Sequence, residues 1–330
     1  MNKTSLVLQS FGRENEYRRA VLTVLSFYAF STLPLESTQV LLFTDKPEWF
    51  QKYLSGLPVK FVMLTPEKIK IMRGEIDFLH RMKIALIEEA FELTDNNLLY
   101  ADSDTFFTDD PTELMASLTE GKSYMHLNEY SFADLPGGVT FDDFGNLIER
   151  QSFTLVDGTS FKVAAADMYS WNAGVMMFHR SQKSIIPDVY ALTDQFFPAT
   201  KNHACEQYAF SLILQMRTQL EACDSVNYHY WYRTKKQIAD VFLEKNLEAL
   251  QNVSLDQKLA ITREWTKELP VLFEEHELAL RDNAVQAFNN NQFREGYRWT
   301  FRALAKAPFS NGVFMKDVMY HTRRWLGAKS

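Results

Sequence analysis

The run NLLYADSDTFF, residues 97–107, is apolar until it meets two carboxylates two positions apart, Asp102 and Asp104, and then turns apolar again. In an α/β protein such a run reads as a buried central strand, and ligand crevices open at the carboxyl ends of such strands. Two carboxylates held close repel each other unless a positive charge lies between them, and hard oxygen ligands suit Mg²⁺ or Mn²⁺. The spacing therefore reads as a metal site; the alternative is a pair of acids that merely caps the following turn. More groups capable of chemistry lie downstream. Residues 171–178, WNAGVMMF, read as a strand whose start holds an amide, Asn172, and a glycine, Gly174, where backbone can approach a ligand closely. Glu206 and Gln207 fall in the first turn of a helix opening near His203. His229 stands among aromatics just before Lys235 and Lys236; an imidazole there could complete a metal shell and a lysine could hold a phosphate.

The elements that must carry these groups follow from periodicity. Residues 6–8 form a first short strand, and a polar loop leads into a helix with Ala20, Val21, Val24, Leu25, Tyr28 and Ala29 at helical spacing, ending before Pro34. Residues 40–43 make a second strand, followed by Asp45 as the expected N-cap of a helix opening at Pro47. Residues 59–64 make a third strand, and a longer helix is expected from Asp77. Strand, helix, strand, helix, strand, helix, strand is the pattern of a parallel, doubly wound sheet, whose binding edge collects the ends of strands one, two and four. The stretch 129–169 is polar, glycine-containing and without a strong period, which suits either a substrate-recognition loop or an irregular hairpin insertion.

With 330 residues and 46% hydrophobic content, the chain can form one large domain, or a domain with an appendage. A net charge of −7 argues against general nucleic-acid binding. Cys205 and Cys223 lack zinc-like spacing and are too few for a disulfide framework, so both are expected in the core of a protein from a reducing compartment. No 18-residue apolar run occurs, and a cytoplasmic protein, at most peripheral on a membrane, is expected. Beyond about residue 236 the strand signal is lost and helical spacing takes over. The last part, residues 293–330, carries Arg294, Arg298, Arg302, Lys306, Lys316, Arg323, Arg324 and Lys329 with Tyr297, Trp299, Phe301, Phe309, Phe314 and Trp325. That composition suits either an anionic lipid or partner surface, or an amphipathic helical cap. Residues 288–308 also bear a faint likeness to one tetratricopeptide-type helix pair.

Taken in order, Asp-X-Asp after an apolar strand, Asn172-Ala-Gly-Val, the Glu206-Gln207 pair and His229 followed by lysines resemble the nucleotide-sugar glycosyltransferases of the GT-A fold. The family 8 enzymes of the glycogenin and galactosyltransferase type are the most similar, over about residues 5–236. The resemblance implies a Rossmann-like, mostly parallel sheet flanked by helices over residues 1–236, with a helical appendage over 237–330. It implies that Asp102, Asp104 and His229 ligate Mn²⁺ or Mg²⁺ on the diphosphate of a UDP-sugar, with Lys235 or Lys236 as a second positive charge. Ser10, Asn15, Tyr17, Thr44 and Asp45 would hold uracil and ribose, Arg81 would reach the donor, and Ser103 and Gly174 would lie against it. Asn172 would touch the donor sugar or acceptor, Glu206 would orient sugar hydroxyls, and Gln207 would lie beneath the anomeric carbon. The family more often has aspartate at the Glu206 position and a glycine between the histidine and the lysine. A hydroxyl of a glycan or lipid-linked acceptor would receive the sugar. Two other classes fit parts of the pattern. Asp-Ser-Asp-Thr also matches the haloacid-dehalogenase-like phosphatases, with Asp102 as nucleophile, but that class needs a later lysine and a distal acidic pair after a strand, and Asp142-Asp143 follows no convincing apolar strand. A catalytically silent sugar-nucleotide-binding or scaffold protein is the third reading.

Overall fold

The computed structural model describes residues 3–308 and 312–327; Phe309 and Lys329 of the basic tail lie outside them. Two compact units divide the chain, Met1–His229 with Leu250–Thr262, and Tyr230–Ala249 with Arg263–Ser330.

In the first unit the strands are β1 (Thr4–Ser10), β2 (Val40–Thr44), β3 (Val59–Met63), β4 (Asn97–Ala101), β5 (Thr105–Phe107), β6 (Lys122–Met125), β7 (Asn128–Ser131), β8 (Phe153–Thr154), β9 (Ser160–Phe161), β10 (Tyr169–Trp171), β11 (Val175–Phe178), β12 (Gln219–Ala222) and β13 (Asn227–His229). Seven of them form one sheet in the order β12-β6-β11-β4-β1-β2-β3. Only β11 runs against the others. The mostly parallel, helix-flanked sheet expected from the sequence is therefore present. Its central strand β4 is buried on both faces, as its unbroken apolar run requires; burying a side chain such as Leu98 or Leu99 contributes about 1.5–3 kcal/mol.

The helices of this unit are α1 (Glu14–Phe30), α2 (Pro47–Leu54), α3 (Pro66–Arg73), α4 (Arg81–Leu93), α5 (Thr112–Ala116), α6 (Val139–Arg150), α7 (Ile186–Thr200) and α8 (Cys205–Arg217). Three differ from expectation. The helix expected from Asp77 begins at Arg81, because Asp77 itself is left-handed at φ 51°. An additional helix, α3, opens at Pro66 with Thr65 Oγ1 accepting from the Lys68 N–H, a cap that sequence reading passed over. Asp45 does not cap α2; Lys46 takes that position, and the Asp45 carboxylate is used elsewhere. The 129–169 stretch is neither a bare loop nor a simple hairpin. It holds α6, which buries Phe144, Leu147 and Ile148 at i, i+3 and i+4, and the two-residue pair β8–β9.

Both cysteines are buried free thiols. Burial above all pushes the Cys205 thiol up to about 12 and that of Cys223 higher still, so neither offers a thiolate at neutral pH. Lys258, in the segment that returns to the first unit, is buried and donates to the Tyr53 carbonyl at 2.8 Å, where α2 has a backbone acceptor to satisfy.

The second unit is helical: α9 (Arg233–Asn246), most of α10 (Leu255–Glu275), α11 (Glu277–Asn289), α12 (Phe293–Lys306) and α13 (Gly312–Gly327). α11, α12 and α13 share a core of Leu280, Ala284, Phe288, Ala303, Phe314 and Val318. Gly296 lets α12 approach α11, since a Cβ there would meet the Phe288 ring at 2.5 Å. Arg294, Arg298, Arg302, Lys306, Lys316 and Arg323 are exposed, as is Phe301, while Arg324 donates to the Phe288 carbonyl at 2.6 Å. Among the described residues no helix is long and apolar enough to cross a membrane.

Candidate metal centre and surrounding polar network

Three side chains far apart in sequence meet at the carboxyl edge of β4. Asp102 and Asp104 follow the strand directly, and β13 pairs antiparallel with β5 so that His229 faces Thr105. The potential ligand atoms of Asp102, Asp104 and His229 all lie within 4.8 Å of one another. His229 Nε2 is 3.5 Å from Asp104 Oδ1, and both side chains are almost fully buried. An octahedral Mg²⁺-sized ion with bonds of about 2.1 Å places its ligands about 3–4.2 Å apart, so a small inward movement of these groups would enclose one. Two carboxylates and an imidazole are also a donor set that Mn²⁺ accepts.

Asp102 and His229 are held from behind. Asp102 accepts from the Tyr100 hydroxyl on one oxygen and from Lys83 Nζ, at 3.2 Å, on the other. Burial first, then the Asp102 charge, pushes the Tyr100 phenol well above its usual range, so it remains a donor. The backbone N–H of Asp102 donates to the Gly174 carbonyl at 2.7 Å. Reversal of β11 is what makes that contact: it brings the start of the strand, not its end, to the edge where β4 finishes. Gly174 is needed for space. A Cβ there would meet the His229 ring at 2.1 to 2.8 Å, so the close approach read from the sequence is made by the histidine itself.

Asn172, expected to touch the donor sugar or acceptor, has its amide turned to the histidine. Its Oδ1 lies 2.8 Å from His229 Nδ1 and accepts from the Gly174 N–H at 3.0 Å, while its Nδ2 donates to Glu129 Oε1 at 2.9 Å. Gln207 stands beside it, donating from Nε2 to Glu129 Oε2 at 2.8 Å and accepting the Ala173 N–H at 3.2 Å. His126 packs its ring against His229; burial first and His229 second lower it to about 4, so at neutral pH it is uncharged.

Lys83 was missed. Its ammonium donates to Asp102, to the Ala173 carbonyl at 3.1 Å and to Glu206 Oε1 at 3.0 Å, which uses all three protons. Burial works against this charge, but Asp102 and Glu206 outweigh it and the lysine is held above its usual range. The sequence carried a signal for it: Lys83 sits at i, i+4 and i+7 with Ile87 and Ala90, on the apolar face of α4. Arg81, the residue expected to reach the donor, is engaged by α7. It forms a bidentate pair with Asp194 at 2.8 and 3.1 Å and lies over the Tyr190 ring.

Ser10 and Thr44 face each other at the carboxyl ends of β1 and β2. Asp45 closes that corner, accepting from the Gly12 N–H at 3.1 Å and from the Tyr17 hydroxyl at 2.8 Å. Burial first and Asp45 second push the Tyr17 phenol up to about 12, which keeps it a donor. Ser10 is buried and its hydroxyl has no hydrogen-bond partner among the described residues. Asn15 accepts from Arg18 on the exposed start of α1, and Ser103 donates to Glu16 at 2.8 Å. Lys235 and Lys236 belong to the second unit, where Lys235 lies 3.8 Å from Glu274.

No protein-family profile matches the chain, and no curated protein matches it. Among solved structures it is similar to the galactosyltransferase LgtC in complex with donor and acceptor sugar analogues, at 13% identity and a TM-score of 0.45 over 76% of this chain and 97% of that one. It is also similar to the glycosyltransferase GlyE of Streptococcus pneumoniae TIGR4, at 13% identity and a TM-score of 0.46 over 82% and 64% of the two chains. A third is mouse xyloside xylosyltransferase 1 in its apo form, at 13% identity and a TM-score of 0.44 over 67% and 85%. At identities this low the chemistry rests on the side chains described above. Those side chains do not assemble the acid pair of the phosphatase pattern: Asp142 and Asp143 are exposed on α6 and follow no strand.

Proposed function

We propose that the chain transfers a sugar from a UDP-sugar to a hydroxyl of a carbohydrate or lipid-linked acceptor, with Mn²⁺ or Mg²⁺ held by Asp102, Asp104 and His229. The observation that carries this reading is the convergence of those three ligands with Gln207 and the Lys83–Glu206 pair at one sheet edge. Bound there, the cation would neutralise charge developing on the departing diphosphate without a proton transfer. The buried Ser10 hydroxyl, with Thr44 beside it, supports nucleotide binding at the neighbouring strand ends. Gln207 is a poor nucleophile, so its carbonyl is proposed to steady an oxocarbenium-like centre, an arrangement suited to retention. Glu206 acts through Lys83, fixing the ammonium that braces Asp102.

The test is a thermal shift with UDP, with and without Mn²⁺. A ligand at about 100 times its dissociation constant stabilises a fold by about 2.7 kcal/mol. Metal-dependent stabilisation is expected in the native protein and is expected to vanish in Asp102→Ala and in Asp104→Ala. No response to UDP from folded protein, with phosphate released from a phosphomonoester, would move the assignment to the phosphatase. For a lipid-linked acceptor, the exposed basic residues Arg294, Arg298 and Arg302 with Phe301 support a peripheral contact with anionic lipid. Pelleting with anionic liposomes is expected to fall markedly when the three arginines become glutamine; equal pelleting would remove the membrane from the proposal.

A further inference from the structure

We infer that Glu129 is a positioning residue that selects the tautomer of His229 and, with the same carboxylate, the orientation of Gln207. The inference rests on the metal-site reading proposed above. An imidazole that ligates through Nε2 must carry its proton on Nδ1. Here Nδ1 faces the side-chain amide of Asn172 at 2.8 Å, so the tautomer depends on which end of that amide is presented. Two groups at the far side decide it. Glu129 Oε1, an acceptor only, lies 2.9 Å from one amide terminus, and the Gly174 N–H, a donor only, lies 3.0 Å from the other. The amide therefore gives its oxygen to His229 and holds a proton on Nδ1, against Asp104 Oδ1, the acceptor 3.5 Å from Nε2.

The second carboxylate oxygen does the same for Gln207. Glu129 Oε2 accepts from Gln207 Nε2 at 2.8 Å, which leaves the Gln207 oxygen facing the Ala173 N–H. One carboxylate thus orients both amides, one oxygen for each. Backbone irregularity puts it there. In the β7–β10 pair Asn128 faces Trp171 and Tyr130 faces Ser170, so Glu129 is the extra residue of a bulge, a feature that re-aims a side chain.

Glu129→Gln keeps the shape but offers one oxygen and one amino group where the carboxylate meets Asn172 Nδ2 on one oxygen and Gln207 Nε2 with the Ser170 hydroxyl, at 3.4 Å, on the other. It can satisfy Asn172 or Gln207 but not both, and rotation of Asn172 would move the His229 proton to Nε2, against the metal face. Two readouts are needed: the tautomer of His229 from ¹⁵N histidine spectra of metal-free protein, and Mn²⁺ affinity by calorimetry. The expected result is a population of the Nε2–H tautomer and Mn²⁺ affinity lowered about 10–100-fold. Adding Gln207→Ala removes the competing donor, lets the introduced carbonyl turn to Asn172, and is expected to restore both readouts. An unchanged tautomer in Glu129→Gln, or no recovery in the double variant, would overturn the inference. If native protein binds no Mn²⁺, the metal reading fails by itself, while the tautomer spectra still decide the part assigned to Glu129.

Discussion

Replacing Gly174 with alanine is expected to abolish divalent-metal binding at the Asp102, Asp104 and His229 cluster while leaving the protein folded. The new methyl group would fall 2.1 Å from His229 Nδ1 and 2.2 Å from Cε1, far inside contact distance, and the backbone under it is pinned by the Asp102 N–H on its carbonyl. The ring must therefore leave, and with it the hydrogen bond to Asn172. Changes one shell outside a metal already cost about 10–100-fold in affinity, so displacing a ligand is expected to cost more than about 100-fold. The stability cost is that of overpacking, about 1–3 kcal/mol. Gly121→Ala is the control, because a Cβ there meets nothing within 4 Å. Calorimetric titration with Mn²⁺ and a thermal melt on each variant check this, and a Gly174→Ala protein that binds Mn²⁺ as the native one does would exclude His229 as a ligand.

Lys83→Met, close in volume, is expected to be strongly destabilising. The lysine side chain is 7% exposed and Glu206 4%, so methionine would strand a buried carboxylate with no counter-charge. Breaking a buried pair by removing one partner costs about 3–5 kcal/mol. Asp102, 23% exposed, keeps Tyr100 and some access to water, so most of the loss should come from Glu206. The pH window follows from the direction of the lysine shift. Because folding raises its pKa, the folded chain holds the proton longer, and the contribution is fully present below the usual 10.5 and lost only as pH rises beyond it. The native protein and the Lys83→Met variant are thus expected to differ in urea at neutral pH and to converge only in strong alkali. A difference under about 1 kcal/mol at neutral pH would mean that Lys83 does not compensate these carboxylates.

The sequence by itself determined the strand run that ends in Asp102 and Asp104, the alternation of strands and helices that builds a mostly parallel sheet, and the helical character of the C-terminal third. These are local facts: apolar runs, helical spacing and breakers act over a few residues and are written in order along the chain. The tertiary structure alone decided how the candidate site is wired. Reversal of β11 put Asn172 and Gly174 beside Asp102; a bulge aimed Glu129 at two amides; and helix α4 delivered Lys83 while turning Arg81 to Asp194. Arg81 and Lys83 are two residues apart on one helix and so point to different sides, a distinction that depends on which face the sheet covers. The reason is physical. A buried charge or amide is tolerable only where partners from distant segments meet it, and that pairing belongs to packing, not to any stretch of sequence.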